Sequence, residues 1–294
     1  MRKLLASNFK RLKKSRLFWI IAIFNIVISC GSIISTHDYN QALIEYHAGM
    51  ADSAFVPTTA MHILYNFTPL LGLMASFMLA LFIGTEYHDN TMRNKLICGQ
   101  PRVKVYLANL LTCFFITVFF WLLPILMALI VGIPLLGMPG LTSASLFQLL
   151  LFGFIGLLLC GVFASVYTLT AMLIPNRSYA LITGIALAIG FLFLGSFCEG
   201  RLEEPEYYAD YSLHTDEDGT QTILPGKLVE NPHYLEGNAR RLVRFFYDCF
   251  PGGQAIQIAA LDVTHTSLLP IYSLCLIAVT TFAGLYFFKR KDLK

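Results

Sequence analysis

The chain has 294 residues, 56% of them hydrophobic and only 13% charged, with a formal net charge of +3. That small balance averages a basic face with an acidic one, so it supports no nucleic-acid reading, and apolar runs as long as those below would be insoluble without lipid. Six stretches free of Asp, Glu, Lys and Arg, at residues 17–36, 63–84, 105–133, 145–174, 179–197 and 267–288, each meet the roughly 20 residues needed to cross a bilayer core of about 30 Å.

Before the first stretch, residues 1–16 carry seven Lys/Arg, and Leu5, Phe9 and Leu12 recur at helical spacing. This predicts a helix lying in the membrane interface with its ammonium groups at anionic lipid headgroups. Val27 to Gly31 fits a lipoprotein cleavage box around Cys30, but the five further spans favour an uncleaved helix. With the N-terminus inside, sixteen of the 21 basic residues but only three of the 18 acidic ones fall on the inner side. The positive-inside rule therefore places both termini in the cytoplasm of a multi-pass protein.

After the second stretch comes Glu86, then Asp89 and Asn90 as candidate caps of a short helix. Met92 and Leu96 share one face of it, Arg93 and Lys95 point elsewhere, and Gly99 and Pro101 end it. A short rigid helix with two apolar knobs and fixed charges suits a protein socket. The third and fourth stretches are longer than a perpendicular helix requires, and Pro124 and Pro134 predict a kink and an end in the third. Gly153, Gly156 and Gly161 in the fourth, with Gly184, Gly190 and Gly195 in the fifth, allow close helix approach. Asn25 and Gln148 are read as interhelical hydrogen-bonders.

The spans hold no carboxylate or histidine of the kind that ion-coupled carriers place near the midplane. The sequence also has no zinc-protease, hydrolase or phosphate-loop motif and no metal-ligand spacing. Any energy for transport must enter from outside the chain, and the loop around Glu86 is where it would enter.

Residues 198–266 are expected to be an extracellular loop with short helices. Residues 199–239 are acidic and rich in Tyr, Gly and Pro, with a turn at Asp216 to Gly219, and suit a small cap or flap. Leu242, Phe245, Phe246 and Phe250 then form an apolar helical face, headed by Arg240, Arg241 and Arg244. Pro251, Gly252 and Gly253 break this helix before a second apolar run to Leu261. These helices are expected to pack into the membrane rim or against the spans as a movable outer gate. Cys198 and Cys249 share this side, so a bridge closing a loop of about fifty residues is topologically allowed, worth about 4 kcal/mol in the chain-entropy model.

The glutamate closing the second span, the run Thr91-Met92-Arg93-Asn94-Lys95 and the Pro101-Arg102 step into the third resemble the permease subunits of type-2 ATP-binding-cassette (ABC) exporters. The basic N-terminal helix, six spans, the short inner loop at Pro175 to Ser178 and the tail Phe287 to Leu293 fit the same pattern. The resemblance implies an all-α membrane protein, one membrane domain over residues 1–294, in a bacterial plasma membrane. It implies that Glu86, Thr91, Arg93 and Lys95 belong to a coupling region, joined on the reading above by Met92 and Leu96. Two copies of a cytoplasmic ATPase would dock there and carry the ATP and Mg, this chain binding no cofactor. A second permease would complete a homodimer or heterodimer in contact with lipid. The expected cargo is an amphiphile: an antimicrobial peptide of the bacitracin or lantibiotic type, a lipid or a drug. The alternative is a membrane-resident immunity protein that sequesters a toxin without turnover.

Overall fold

The computed structural model of the chain describes residues 1–48, 56–138, 140, 142–215, 221–263 and 265–291, with 209–215 and 221–226 as backbone alone. It is an all-α membrane protein: among the described residues six helices are long and apolar enough to span a bilayer, and one two-stranded hairpin interrupts them. An even number of spans puts the N-terminal helix and the end of the sixth span on one face, called the basic face, and the hairpin on the opposite face.

Helix α1 (Arg2–Lys14) turns at Ser15 into α2 (Arg16–Ala48). The buried line of α1 is Leu4, Asn8 and Leu12, with Leu5 and Phe9 packed at its edge. The expected face of Leu5, Phe9 and Leu12 is thus rotated toward Asn8, which is drawn inward by polar partners on a neighbouring span. Helix α2 continues well past residue 36. Hydropathy falls at His37, but residues 37–48 contain neither Gly nor Pro, so nothing in the backbone stops the helix. Asn40 secures the extension by exchanging two hydrogen bonds with the Thr58 backbone, at 2.8 and 3.1 Å.

The second span comprises α3 (Ala60–Ile63) and α4 (Thr68–His88), and α5 (Thr91–Ile97) follows. The third span runs through Pro124 as α6 (Arg102–Met127), a π-helical turn (Ala128–Gly132) and α7 (Ile133–Leu136). Pro134 sits in the first turn of α7, and the chain leaves the helix at Gly137, whose φ of 71° suits a residue without Cβ. Helix α8 (Ser143–Leu173) is the hub, packing against α4, α6 and two later helices, residues 251–260 and 268–290. Gly156 admits the Trp121 ring and Gly161 admits Ile277, as the small-residue reading expects. Gly190 faces open space and Gln148 is exposed without a hydrogen-bond partner among the described residues, so neither serves the packing expected of it.

Helix α9 (Arg177–Glu203) is capped by Asn176, whose side chain accepts from the Ser178 and Tyr179 amides. The loop beyond it contains more than short helices. Strands β1 (Tyr207–Thr215) and β2 (Gln221–Glu230) form an antiparallel hairpin. The alternating Tyr, Leu and Val residues there carry a strand signal that the acidic composition obscured. The turn expected at Asp216 to Gly219 lies outside the described residues, as do Asp292 and Leu293 of the tail. Tyr208 and Asn231 anchor the hairpin base by donating to the Glu204 carboxylate at 2.7 and 2.9 Å, which lowers the pKa of that carboxyl. Helices α10 (Gly237–Cys249), α11 (Pro251–Ala260) and α12 (Leu268–Arg290) complete the chain.

Candidate functional site on the basic face

Glu86 lies in the last turn of α4 and its carboxylate is fully buried. An isolated buried carboxylate is costly, and it is tolerated only when its lone pairs are filled. Here Arg11 of α1 meets Oε1 at 2.7 Å and Lys95 of α5 meets the same oxygen at 2.5 Å. Asn109 of α6 donates to Oε2 at 3.0 Å. Asn8 joins the two sides: it donates to Asn109 Oδ1 at 2.7 Å and to Thr112 Oγ1 at 3.2 Å, and it accepts from Lys95 at 3.1 Å. The Arg11 guanidinium also stacks 3.9 Å over the Phe82 ring, and the Thr91 hydroxyl donates to the Glu86 carbonyl at 3.2 Å. Four elements, α1, α4, α5 and α6, therefore converge on one carboxylate.

This cluster fixes the orientation of α5. Asn90 occupies the N-cap position, but its side chain makes no cap; its φ of 53° instead supplies the sharp reversal from α4. Met92 is 1% exposed and Leu96 packs against the core. They are not outward knobs, a correction to the sequence reading: both are drawn under the helix because that side faces the apolar interior. The surface that α5 presents consists of Arg93, Asn94 and Ile97, which is 72% exposed, with Cys98 just beyond its end. Of the residues expected to couple, Arg93 faces out, whereas Glu86, Met92 and Lys95 brace the helix from within, with Leu96 beside them and Thr91 tied to Glu86.

The start of α6 and the end of α12 meet beside this site. Arg102 donates to the carbonyls of Phe288 and Lys289, each at 3.1 Å, and to that of Lys291, closing the C-terminus of α12. Lys291 folds back to donate to the Met172 carbonyl at 2.8 Å and lies 4.5 Å over the Tyr87 ring, and burial pushes its pKa down to about 8.

On the opposite face, Leu242, Phe245 and Phe246 are 57%, 47% and 37% exposed. Phe245 nevertheless packs edge-on against the Tyr272 ring of α12, 5.8 Å between centroids, and Phe246 lies against the Phe250 ring at 5.7 Å, leaving Leu242 the most exposed of the three. Phe250 is half-buried, its ring 6.4 Å from that of Phe191. Gly252 and Gly253 do not act as a hinge. They are buried inside the first turn of α11, where a Cβ on Gly195 would stand 2.7 Å from the Gly252 carbonyl carbon, so α9 and α11 touch backbone to backbone. Asp248 is buried beneath them, accepting from Gln257 at 3.0 Å with the His265 ring also at 3.0 Å. Cys198 and Cys249 are both free thiols, which corrects the bridge the topology allowed. Cys198 is buried in α9, whereas Cys249 has Cys275 of α12 and Asp248 as its electrostatic neighbours.

Sequence reasoning missed Asn8, Arg11 and Asn109 as site residues. The signal for Asn109 was present, since a carboxamide inside an otherwise apolar span must find a partner. Among the described residues no cluster of His, Cys, Asp or Glu could hold a metal. A family model described as "ABC-2 family transporter protein" matches residues 4–195, from α1 through most of α9, and the chain belongs to that family, the membrane component of ABC transporters. No curated protein matches it.

Proposed function

We propose that this permease subunit works with a separate cytoplasmic ATPase, which docks on the exposed face of α5, and that ATP hydrolysis there drives export of an amphiphilic substrate. The observation that carries the reading is the Glu86 cluster. A seven-residue helix would be marginal alone, but ion pairs and amide contacts to α1, α4 and α6 make it a rigid lever, while Arg93, Asn94 and Ile97 stay free for a partner. Force applied to α5 would then pass through Lys95 and Glu86 into the second span and through Asn109 into the third.

In this reading the basic face is cytoplasmic, in line with the charge asymmetry. Nucleotide and Mg reside on the ATPase, and two permeases and two ATPases form the working unit. The test is affinity purification from native membrane. A stoichiometric ATPase should accompany the wild-type chain, and Arg93→Ala/Asn94→Ala/Ile97→Ala should lose it while remaining inserted. Absence of any ATPase from the wild-type preparation would favour a sequestering immunity protein, and an unchanged partner with the triple variant would move the dock elsewhere.

A further inference from the structure

Where α1 turns into α2, a groove of about 410 Å³ opens against α4 and the start of α9. Its charged lining is wholly basic: Arg11, Lys14, Arg16 and Arg177. Arg11 is committed to Glu86, but Lys14, Arg16 and Arg177 have neither a hydrogen-bond nor an ion-pair partner among the described residues, and all three are exposed. No acidic side chain lines the groove, and Glu86, which Arg11 holds, is fully buried with its oxygens already occupied by Arg11, Lys95 and Asn109. Three like charges held together without a counter-ion repel one another, and a groove arranged in this way attracts an anion.

The same groove continues along the molecule. Leu17 belongs both to it and to a second groove of about 500 Å³ between α2 and α4, lined only by apolar side chains such as Ile20, Phe24, Ile28, Leu73 and Phe77. From Leu17 to Ile28 the helix rises about 17 Å at 1.5 Å per residue, and one leaflet of the hydrocarbon core is about 15 Å deep. The basic end therefore sits at headgroup level and the apolar trough has the depth of one acyl chain.

We propose that this composite groove is a binding site for an anionic phospholipid of the leaflet on the basic face, its phosphate held by Lys14, Arg16 and Arg177 and one acyl chain lying between α2 and α4. The lysine and arginine heads act as point-charge and forked donors to phosphate oxygens. Because Arg11 lines the groove and also binds Glu86, the lipid sits within one residue of the cluster that orients α5.

Native mass spectrometry of the detergent-purified chain, titrated with equimolar phosphatidylglycerol and phosphatidylcholine, tests this. The wild-type chain should retain phosphatidylglycerol at least about tenfold better, the factor that about 1.4 kcal/mol of discrimination gives. Lys14→Ala/Arg16→Ala/Arg177→Ala should abolish the preference, whereas Lys3→Ala/Lys10→Ala/Lys13→Ala, which removes equal charge elsewhere on α1, should keep it. Leu73→Trp, which fills the trough, should weaken retention with all cations intact and serves if the basic variant fails to fold. Equal retention of the two lipids, or equal loss in both charge variants, would overturn the site. Displacement of the lipid by millimolar inorganic phosphate would reduce it to a simple anion site and overturn the acyl-chain half.

Discussion

Asn25 donates from Nδ2 to the carbonyl oxygen of Phe120 at 3.2 Å, and Phe120 is the residue four positions before Pro124. Proline has no amide hydrogen, so Pro124 leaves that carbonyl without its helical partner in the middle of a membrane span. The first span thus supplies from its side chain what the third span's backbone lacks. Asn25→Leu should destabilise the protein by about 1–3 kcal/mol, the cost of an unsatisfied buried acceptor. Pro124→Ala restores an amide to Phe120, so adding it to Asn25→Leu should recover most of the loss. Additive effects in thermal unfolding of the four proteins would sink this pairing.

The Glu86 cluster permits a similar cycle. Glu86→Gln strands Arg11 and Lys95 beside a neutral amide and should cost about 3–5 kcal/mol. Replacing Arg11 as well, as Glu86→Gln/Arg11→Met, removes one stranded cation and should return part of it. A coupling energy near zero between positions 86 and 11 would mean that the 2.7 Å ion pair contributes nothing to the fold.

How much of this was legible beforehand differs by element. The six spans were readable because apolar length alone encodes them, and their observed limits depart mainly where a helix outlasts its hydropathy, as α2 does beyond Thr36. Asn90, Gly99 and Pro101 bracketed α5 because turn and breaker signals are local, although Asn90 serves through its positive φ and not through the side-chain cap expected of it. Which side of α5 faces out was not legible. Seven residues place Met92 and Arg93 on different faces, but only the positions of α1, α4 and α6 decide that the interior lies on the Met92 side. The hairpin was masked for a related reason, because β pairing joins residues such as Tyr207 and Glu230 that no short window contains together. Gly252 and Gly253 were visible as glycines, yet whether a glycine bends or admits a neighbour depends on what lies opposite it.

That last distinction is measurable. A methyl group on Gly252 would overlap the carbonyl oxygen of Phe191, whereas one on Gly200, in the same helix as Phe191, meets nothing within 4 Å. Gly252→Ala should therefore separate α9 from α11 and lower stability by about 1–3 kcal/mol or more. Gly200→Ala should be neutral or stabilising by up to about 1 kcal/mol, through helix propensity alone. A Gly252→Ala protein as stable as wild type would restore the hinge reading of this segment.

Lys291 gives a prediction whose sign depends on pH. Its pKa is depressed from an ordinary 10.5 to about 8 by burial at the end of α12. Below pH 8 the amine is charged in both folded and unfolded chains, and the full cost of burying that charge is present. As pH rises from 8 toward 10.5 the folded chain sheds the proton first, so the unfolded chain binds more protons and folding gains stability with pH through this group. The neutral amine can still donate to the Met172 carbonyl, so the contact survives the titration. Lys291→Met removes the titration while keeping an unbranched side chain one atom shorter. The melting temperature of wild type minus that of the variant should accordingly be lowest below pH 8 and climb between pH 8 and 10, which a pH series in detergent would read directly. A difference that stays flat or falls over that interval would show that the Lys291 amine is solvated rather than buried against Tyr87 and Met172.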